Sequence, residues 1–273
     1  MKIFHQAWVT GEAPRAVMVL AHGASEHSGR YAWVGEQLVA RGIAVHALDH
    51  RGHGRSGKGA YIDRMAHAVA DVGTLVEHAR AAHPGAPVFL LGHSVGGCIA
   101  IAYAIEHQDR IDGLALSAPL AALEAAPLPL RIAGRVLSVV APRTGVVDID
   151  ASAVSRDPAV VRDYEADPLN HHGKLPARTV SELADAIATF HDAAPRLELP
   201  LLVMHSPLDR LTPFAGGKMI HDRASSPDKT FIAYDELFHE LLNEPEREQV
   251  LADLAGWIDA RAAAQAPIAA VSP

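Results

Sequence analysis

The chain has 273 residues, 49% of them hydrophobic and 21% charged, enough for one large domain whose core needs no disulfide or metal to hold it. With 32 Asp and Glu against 24 Lys and Arg, the formal net charge is −8, which excludes a polyanion such as nucleic acid as a partner. One cysteine, Cys98, excludes an internal disulfide framework and fits a reducing compartment.

No apolar run has the length of a signal peptide or the ~20 residues of a membrane span, so a cytoplasmic protein is expected. Six short apolar runs punctuate the chain, at 16–21, 44–48, 87–91, 114–117, 201–205 and 229–234. Each is bounded by turn residues, the pattern of buried parallel strands. Between them lie helical periodicities. Residues 31–41 place Val34, Leu38 and Val39 on one side, and 66–83 stripe Val69, Val72, Leu75, Val76 and Ala79 before a Pro84-Gly85 stop. Residues 98–107 are apolar nearly all round and predict a buried helix. This alternation means an α/β fold with a mostly parallel central sheet flanked by helices.

Residues 121–194 break the rhythm and read as a helical cap (lid) inserted at the carboxyl edge of the sheet, where open α/β sheets bind ligands. The domain reading is a core of 1–120 and 195–262, this cap, and a frayed Ala- and Pro-rich tail at 263–273. Leu128, Leu130, Val136, Val139 and Val140 are expected to line an apolar tunnel, to present an apolar rim to a membrane surface, or to fasten the cap to the core.

Gly92-His93-Ser94-Val95-Gly96 follows an apolar strand and opens a helix, the context of a nucleophile elbow. A serine hydroxyl needs a base and an acid to orient that base. In this elbow architecture they follow in the order acid, then histidine. Asp209 comes four residues after the 201–205 run and His239 follows the 229–234 run, so these two are the candidates. His205 reads as the last residue of its strand, with a structural role. The oxyanion donors expected are the N–H groups of Val95, next to the nucleophile, and of Ala24, in the loop after the first run. Asp49-His50-Arg51-Gly52-His53-Gly54-Arg55-Ser56 lacks the spacing of a phosphate loop and reads as a turn bracing the site from behind. The histidine pairs 50/53 and 171/172 lack zinc spacing and have no cysteine pair beside them, so no metal or other cofactor is expected.

Several of these strings resemble one family. His22-Gly23-Ala24-Ser25-Glu26-His27-Ser28-Gly29-Arg30-Tyr31, the 49–56 segment, Leu90 to Gly97, Asp163 to Leu169, Asp209-Arg210-Leu211 and Phe238-His239-Glu240 are similar to the monoacylglycerol lipases, the lysophospholipase-like α/β-hydrolases. The matches run from about 16 to 257, and the His-Gly-x-x-Glu-His-x-x-Arg-Tyr string is the most specific of them. The resemblance implies an eight-stranded sheet under a helical cap, a Ser-Asp-His triad, and release of one fatty acid from glycerol. It further implies that Glu26, Arg30 and Tyr164 shape the polar end where glycerol sits. A lipid ester is then the substrate, with transient contact between cap and membrane surface. Lysophospholipase, broad carboxylesterase and peptidase remain alternatives on the same scaffold, and a catalytically idle binding protein is the alternative from another class. Epoxide hydrolases and haloalkane dehalogenases, which carry Asp at the elbow, are disfavoured by Ser94. Three positions depart from the family pattern: Val95 for the usual Met, Ser206 for the usual Gly, and Leu242 where some members have a second histidine.

Overall fold

A strand buried on both faces must be apolar on both, and five of the six runs meet that demand; the sixth, at 229–234, forms a partly buried edge strand. In the computed structural model, which describes residues 1–123 and 128–265, the runs form β2 (Ala16–Ala21), β3 (Ile43–Leu48), β4 (Val88–His93), β5 (Gly113–Ser117), β8 (Leu201–His205) and β9 (Lys229–Ala233). These six are parallel to their neighbours. A seventh strand, β1 (His5–Trp8), joins antiparallel at the edge, giving the order β1-β3-β2-β4-β5-β8-β9. β1 alternates exposed with half-buried residues, so it leaves no apolar run in the sequence. The eight strands implied by the resemblance are seven in this sheet among the described residues.

Along β4, Leu90 faces one side while Phe89 and Leu91 face the other. The Leu90 side packs under α2 (Met65–Ala82), α3 (Val95–His107), α6 (Ala177–Ala193) and α7 (Phe214–Arg223). The opposite side packs under α1 (Ala32–Val39) and α8 (Arg247–Gln265), where Trp257 meets Phe89 edge-on at 5.5 Å between ring centroids. α1 is shorter than its periodicity predicts because residues 28–31 take a tighter 3₁₀ turn, capped when Gly29 N–H donates to His27 Nδ1. α8 continues through 263–265, an Ala-rich stretch that favours helix, while 266–273 lie outside the described residues.

Between β5 and β8 the chain builds α4 (Leu128–Val140), α5 (Pro158–Ala166), α6 and a small antiparallel pair of β6 (Gly145–Val147) with β7 (Leu175–Pro176). α6 carries Leu183 and Phe190 into the main core, so that part of the insertion is continuous with the sheet's helical layer. α4 presents an apolar face outward instead. Val139 and Val140 are each 72% exposed, Leu130 64% and Val136 56%. The side chain of Leu128 lies outside the described residues.

The chain leaves β2 toward β3 and then crosses back to β4, so the strand order reverses between β2 and β4. At such a switch point the loops after the two strands diverge and open a crevice. The loop after β2 carries Gly23 and Ala24, and the turn after β4 carries Ser94.

Candidate active site

The turn from β4 into α3 gives Ser94 φ +51° and ψ −119°, a strained conformation for a residue with a side chain. The neighbouring glycines make it possible. A Cβ on Gly92 would sit 2.6 Å from the Gly96 carbonyl oxygen, and one on Gly96 would overlap the carbonyl oxygens of Ala21 and His22. The turn is pinned by Ser94 N–H donating to Ser117 O at 3.1 Å and Leu120 N–H donating to Ser94 O at 2.9 Å. Ser94 is 8% exposed and lines a cavity that His239, His93, Ala24 and Val95 share.

Asp209 lies in the loop after β8, its side chain fully buried. Its Oδ1 accepts from Leu211 N–H at 2.7 Å and Thr212 N–H at 3.0 Å. Its Oδ2 accepts from His239 Nδ1–H at 2.7 Å, from Thr212 Oγ1–H at 2.7 Å and from His205 Nε2–H at 3.3 Å. Burial alone would raise this carboxyl, but His239 and the other donors outweigh it and hold Asp209 far below the usual carboxylate range. The acid is therefore a permanent anion that fixes the His239 ring with Nδ1 protonated. This leaves Nε2 free to take a proton. Neither Ser94 Oγ nor His239 Nε2 has a hydrogen-bond partner among the described residues. In unliganded sites such contacts are often long and tighten on binding.

The Ala24 and Val95 N–H groups have no partner among the described residues, and both residues line the cavity. Their loop is held from both ends. Gly23 N–H donates to Glu26 Oε1 at 2.5 Å, and the His22 ring donates from Nδ1 to Gly23 O at 2.7 Å. His22 Nε2 accepts from His50 N–H at 2.9 Å, so His22 is neutral and its tautomer is fixed. Glu26 Oε1 also accepts from Tyr31 Oη–H at 2.8 Å, and Oε2 accepts from Arg30 Nη1 at 2.9 Å. Burial pushes the Glu26 carboxyl up. Tyr164, on α5, lines the cavity with Glu26, and the Arg30 guanidinium stands 4.9 Å from its ring centroid. Arg30 itself is one layer back from the lining.

Residues 12–246 match the family model described as serine aminopeptidase, S33. The chain is 43% identical to the monoacylglycerol lipase of Mycolicibacterium smegmatis over 94% of its own length and 93% of that protein's. It is 35% identical to the human monoglyceride lipase, covering 96% of this chain and 88% of the relative. The crystal structure of the Paleococcus ferrophilus monoacylglycerol lipase superposes with a TM-score of 0.86 at 28% identity, over 96% of this chain and all of the other. The chain belongs to the monoacylglycerol lipase family of α/β-hydrolases.

Two of the three departures from the family pattern can be placed in the structure; that of Val95 has no structural explanation. Ser206 Oγ–H donates to Leu237 O at 2.5 Å and accepts from Leu208 N–H at 3.0 Å, tying the Asp209 loop to the His239 loop in a way Gly cannot. Leu242 is buried in the core cluster beneath α1 and α8, away from the cavity lining. The 49–56 segment is a structural turn. Asp49 Oδ1 accepts from Ser28 N–H and Oγ–H at 2.8 and 2.6 Å, and Oδ2 accepts from Arg55 N–H at 2.8 Å. The exposed valines of α4 do not line the cavity. Its apolar wall comes from Leu120, Val154, Leu175, Val180 and Leu183.

Three lining or supporting residues have no counterpart in the sequence reading. Thr212 holds Asp209 through its N–H and its hydroxyl, and a Thr three residues after an Asp is a turn signal that could have found it. His93 sets its ring, tilted by 49°, 4.7 Å from that of His239 and donates from Nδ1 to Ser117 O at 3.0 Å. Glu240 lines the cavity beside His239; the Phe238-His239-Glu240 string contains it, but the sequence gives it no role. Among the described residues no group of three or more His, Cys, Asp and Glu converges as a metal site.

The buried histidines behind this site make stability depend on pH. Burial, with neighbouring imidazoles, lowers His22 well below its ordinary value, His50 to about 3 and His53 to about 4, and burial beside His239 lowers His93 to about 3. Unfolded histidines titrate near 6.5, so below that pH the unfolded state binds more protons than the folded one. The stability these groups contribute is complete above about pH 6.5 and falls as pH drops toward 3–4, by roughly 1–2 kcal/mol per histidine at pH 5. Thermal melts should show Tm falling by about 10 °C or more between pH 7.5 and pH 5. A flat profile over that window would contradict neutral burial.

Proposed function

We propose that the protein is a serine hydrolase that cleaves carboxylic esters, monoacylglycerols foremost, to a free fatty acid and glycerol. Ser94 Oγ attacks the ester carbonyl while His239 Nε2 takes its proton. Asp209 holds the ring and stabilises the imidazolium. The developing oxyanion is received by the Ala24 and Val95 N–H groups, each worth about 3 kcal/mol in the transition state. His239 then passes the proton to the leaving glycerol alkoxide, and the acyl group stays on Ser94. Water, deprotonated by His239, attacks this acyl-enzyme, and the proton returns to Ser94 as the fatty acid leaves. The reaction needs no metal or organic cofactor. The observation that carries the reading is the 2.7 Å Asp209–His239 bond beside a serine on a strained elbow that shares one cavity with His239.

Substrate class follows from the walls. Most of the cavity lining is apolar and suits an acyl chain. Glu26 and Glu240, both bonded to Arg30, and Tyr164, whose ring Arg30 faces, form a polar patch in it, and no Lys or Arg is among the described lining residues. A lysophospholipase needs a cation for its phosphate. A neutral glycerol head, rich in hydroxyl donors, fits these acceptors better. Of the insertion, α4, α5 and the β6–β7 pair serve as the cap over this cavity, while α6 packs into the helical layer of the core. The exposed apolar face of α4, with exposed Arg131 and Arg135 on the same helix, docks transiently on a lipid surface. No helix among the described residues is long and apolar enough to cross a membrane, which fits a cytoplasmic protein that visits its substrate at the surface.

One panel tests this: glycerol esters from acetyl to oleoyl, diacylglycerols, lysophospholipids and p-nitrophenyl esters under identical conditions. Monoacylglycerols should be the best substrates, with kcat/KM rising at least about tenfold from acetyl to long acyl chains. Activity that is flat with chain length would favour a broad carboxylesterase, and no activity at all would favour an idle binding protein. Replacing both Val139 and Val140 by Asp should slow hydrolysis of vesicle-borne oleoylglycerol without slowing soluble butyrylglycerol. Equal effects on both would remove surface docking from the account.

A further inference from the structure

Glu240 follows His239 directly, and the triad chemistry does not use it. It is buried, lines the cavity and directs both oxygens at Arg30. Oε1 accepts from Nη1 at 2.5 Å and Oε2 from Nη2 at 2.8 Å, and Oε2 also accepts from Asn243 Nδ2 at 2.9 Å. This is the bidentate fork geometry that holds a guanidinium most firmly. Arg30 Nη1 is engaged again by Glu26 Oε2. One cation therefore faces two carboxylates. Glu26 and Glu240 reach the cavity wall while Arg30 is held behind them. Exposed Asp148, which also lines the cavity, adds a third acid.

We propose that Glu240 is a specificity-determining residue: it turns Arg30 away from the headgroup space and puts a carboxylate there, so that esters of an uncharged polyol enter and esters carrying an anionic headgroup are refused. This deepens the function proposed above and rests on it. An anionic head would have to shed its hydration and meet carboxylates, with three of the five Arg30 N–H groups already committed to Glu26 and Glu240. That is an unpaired-charge penalty of the kind that rejects a wrong partner. A polyol meets the same oxygens as a hydrogen-bond donor and uses their spare lone pairs. Replacing Glu240 by Gln keeps its size, raises the charge of this patch by one and loosens the fork on Arg30.

The test compares kcat/KM for 1-oleoylglycerol and 1-oleoylglycerol 3-phosphate in the wild type, Glu240→Gln and Glu240→Asp. The ratio of the two substrates cancels any difference in active fraction. The wild type should prefer the neutral ester by at least about 100-fold. Glu240→Gln should cut that preference at least about tenfold, chiefly through KM for the phosphate ester, and Glu240→Asp should keep it. An unchanged ratio in Glu240→Gln would overturn the proposal while leaving the lipase reading standing. A wild type that cleaves neither ester would overturn the lipase reading itself. A second readout needs no variant: glycerol should compete with substrate on the wild type, and glycerol 3-phosphate at the same concentration should not. Equal competition by the two would also overturn the assignment.

Discussion

Replacing Ser94 by Ala should lower ester turnover by about 10⁵–10⁶-fold and leave the fold intact. The loss is large because the three side chains act as one unit: without the hydroxyl, His239 has nothing to deprotonate and Asp209 has no imidazolium to stabilise. What survives is the rate given by binding and by the two N–H donors. The fold should survive because Ala keeps the Cβ, and Ser94 Oγ makes no hydrogen bond among the described residues. The strain at φ +51° is supported by backbone bonds to Ser117 and Leu120 that the substitution does not touch. Circular dichroism and a thermal melt should match the wild type. Residual turnover within about a hundredfold of the wild type would remove Ser94 from its role.

Replacing Asp209 by Asn should lower kcat by about 10⁴-fold with a much smaller change in KM. The reason lies in the hydrogen-bond directions. Both oxygens of Asp209 only accept: Oδ1 from the backbone of Leu211 and Thr212, and Oδ2 from His239 Nδ1, the Thr212 hydroxyl and His205. An amide must point its NH₂ one way. Placed toward the backbone, it meets two N–H donors. Placed toward His239, it donates to Nδ1 and moves the proton to Nε2, the wrong tautomer for taking a proton from Ser94. The packing is otherwise unchanged, so substrate still binds. Steady-state kinetics on one soluble ester would decide, and a fall of less than about tenfold would mean Asp209 does not set the His239 tautomer.

The legibility of this molecule in its sequence follows burial. Strands β2 to β5, β8 and β9 are parallel and read as continuous apolar runs, whereas β1 is half exposed and β6 with β7 too short for a pattern. Ser94 was legible because the elbow confines its glycines to fixed neighbouring positions, and Asp209 and His239 because the architecture fixes their order after known strands. The charged network was legible only in part. Glu26 and Arg30 are four residues apart and pair on one turn, but the Arg30–Glu240 fork joins positions 210 residues apart, and no local pattern encodes it. α4 taught a different lesson. Its apolar residues leave a tunnel, an outward rim and a cap-to-core fastening all open in the sequence; in the fold Leu130, Val136, Val139 and Val140 are exposed, while scattered residues from other elements build the cavity wall.

The most direct test of the central claim, that Ser94 is the activated nucleophile, is intact-protein mass spectrometry after exposure to a fluorophosphonate, with peptide mapping of the adduct. The account predicts one phosphonyl group per chain, carried by Ser94. It also predicts loss of labelling in Ser94→Ala and sharp slowing in Asp209→Asn. An unmodified chain, or an adduct on any other residue, would contradict it.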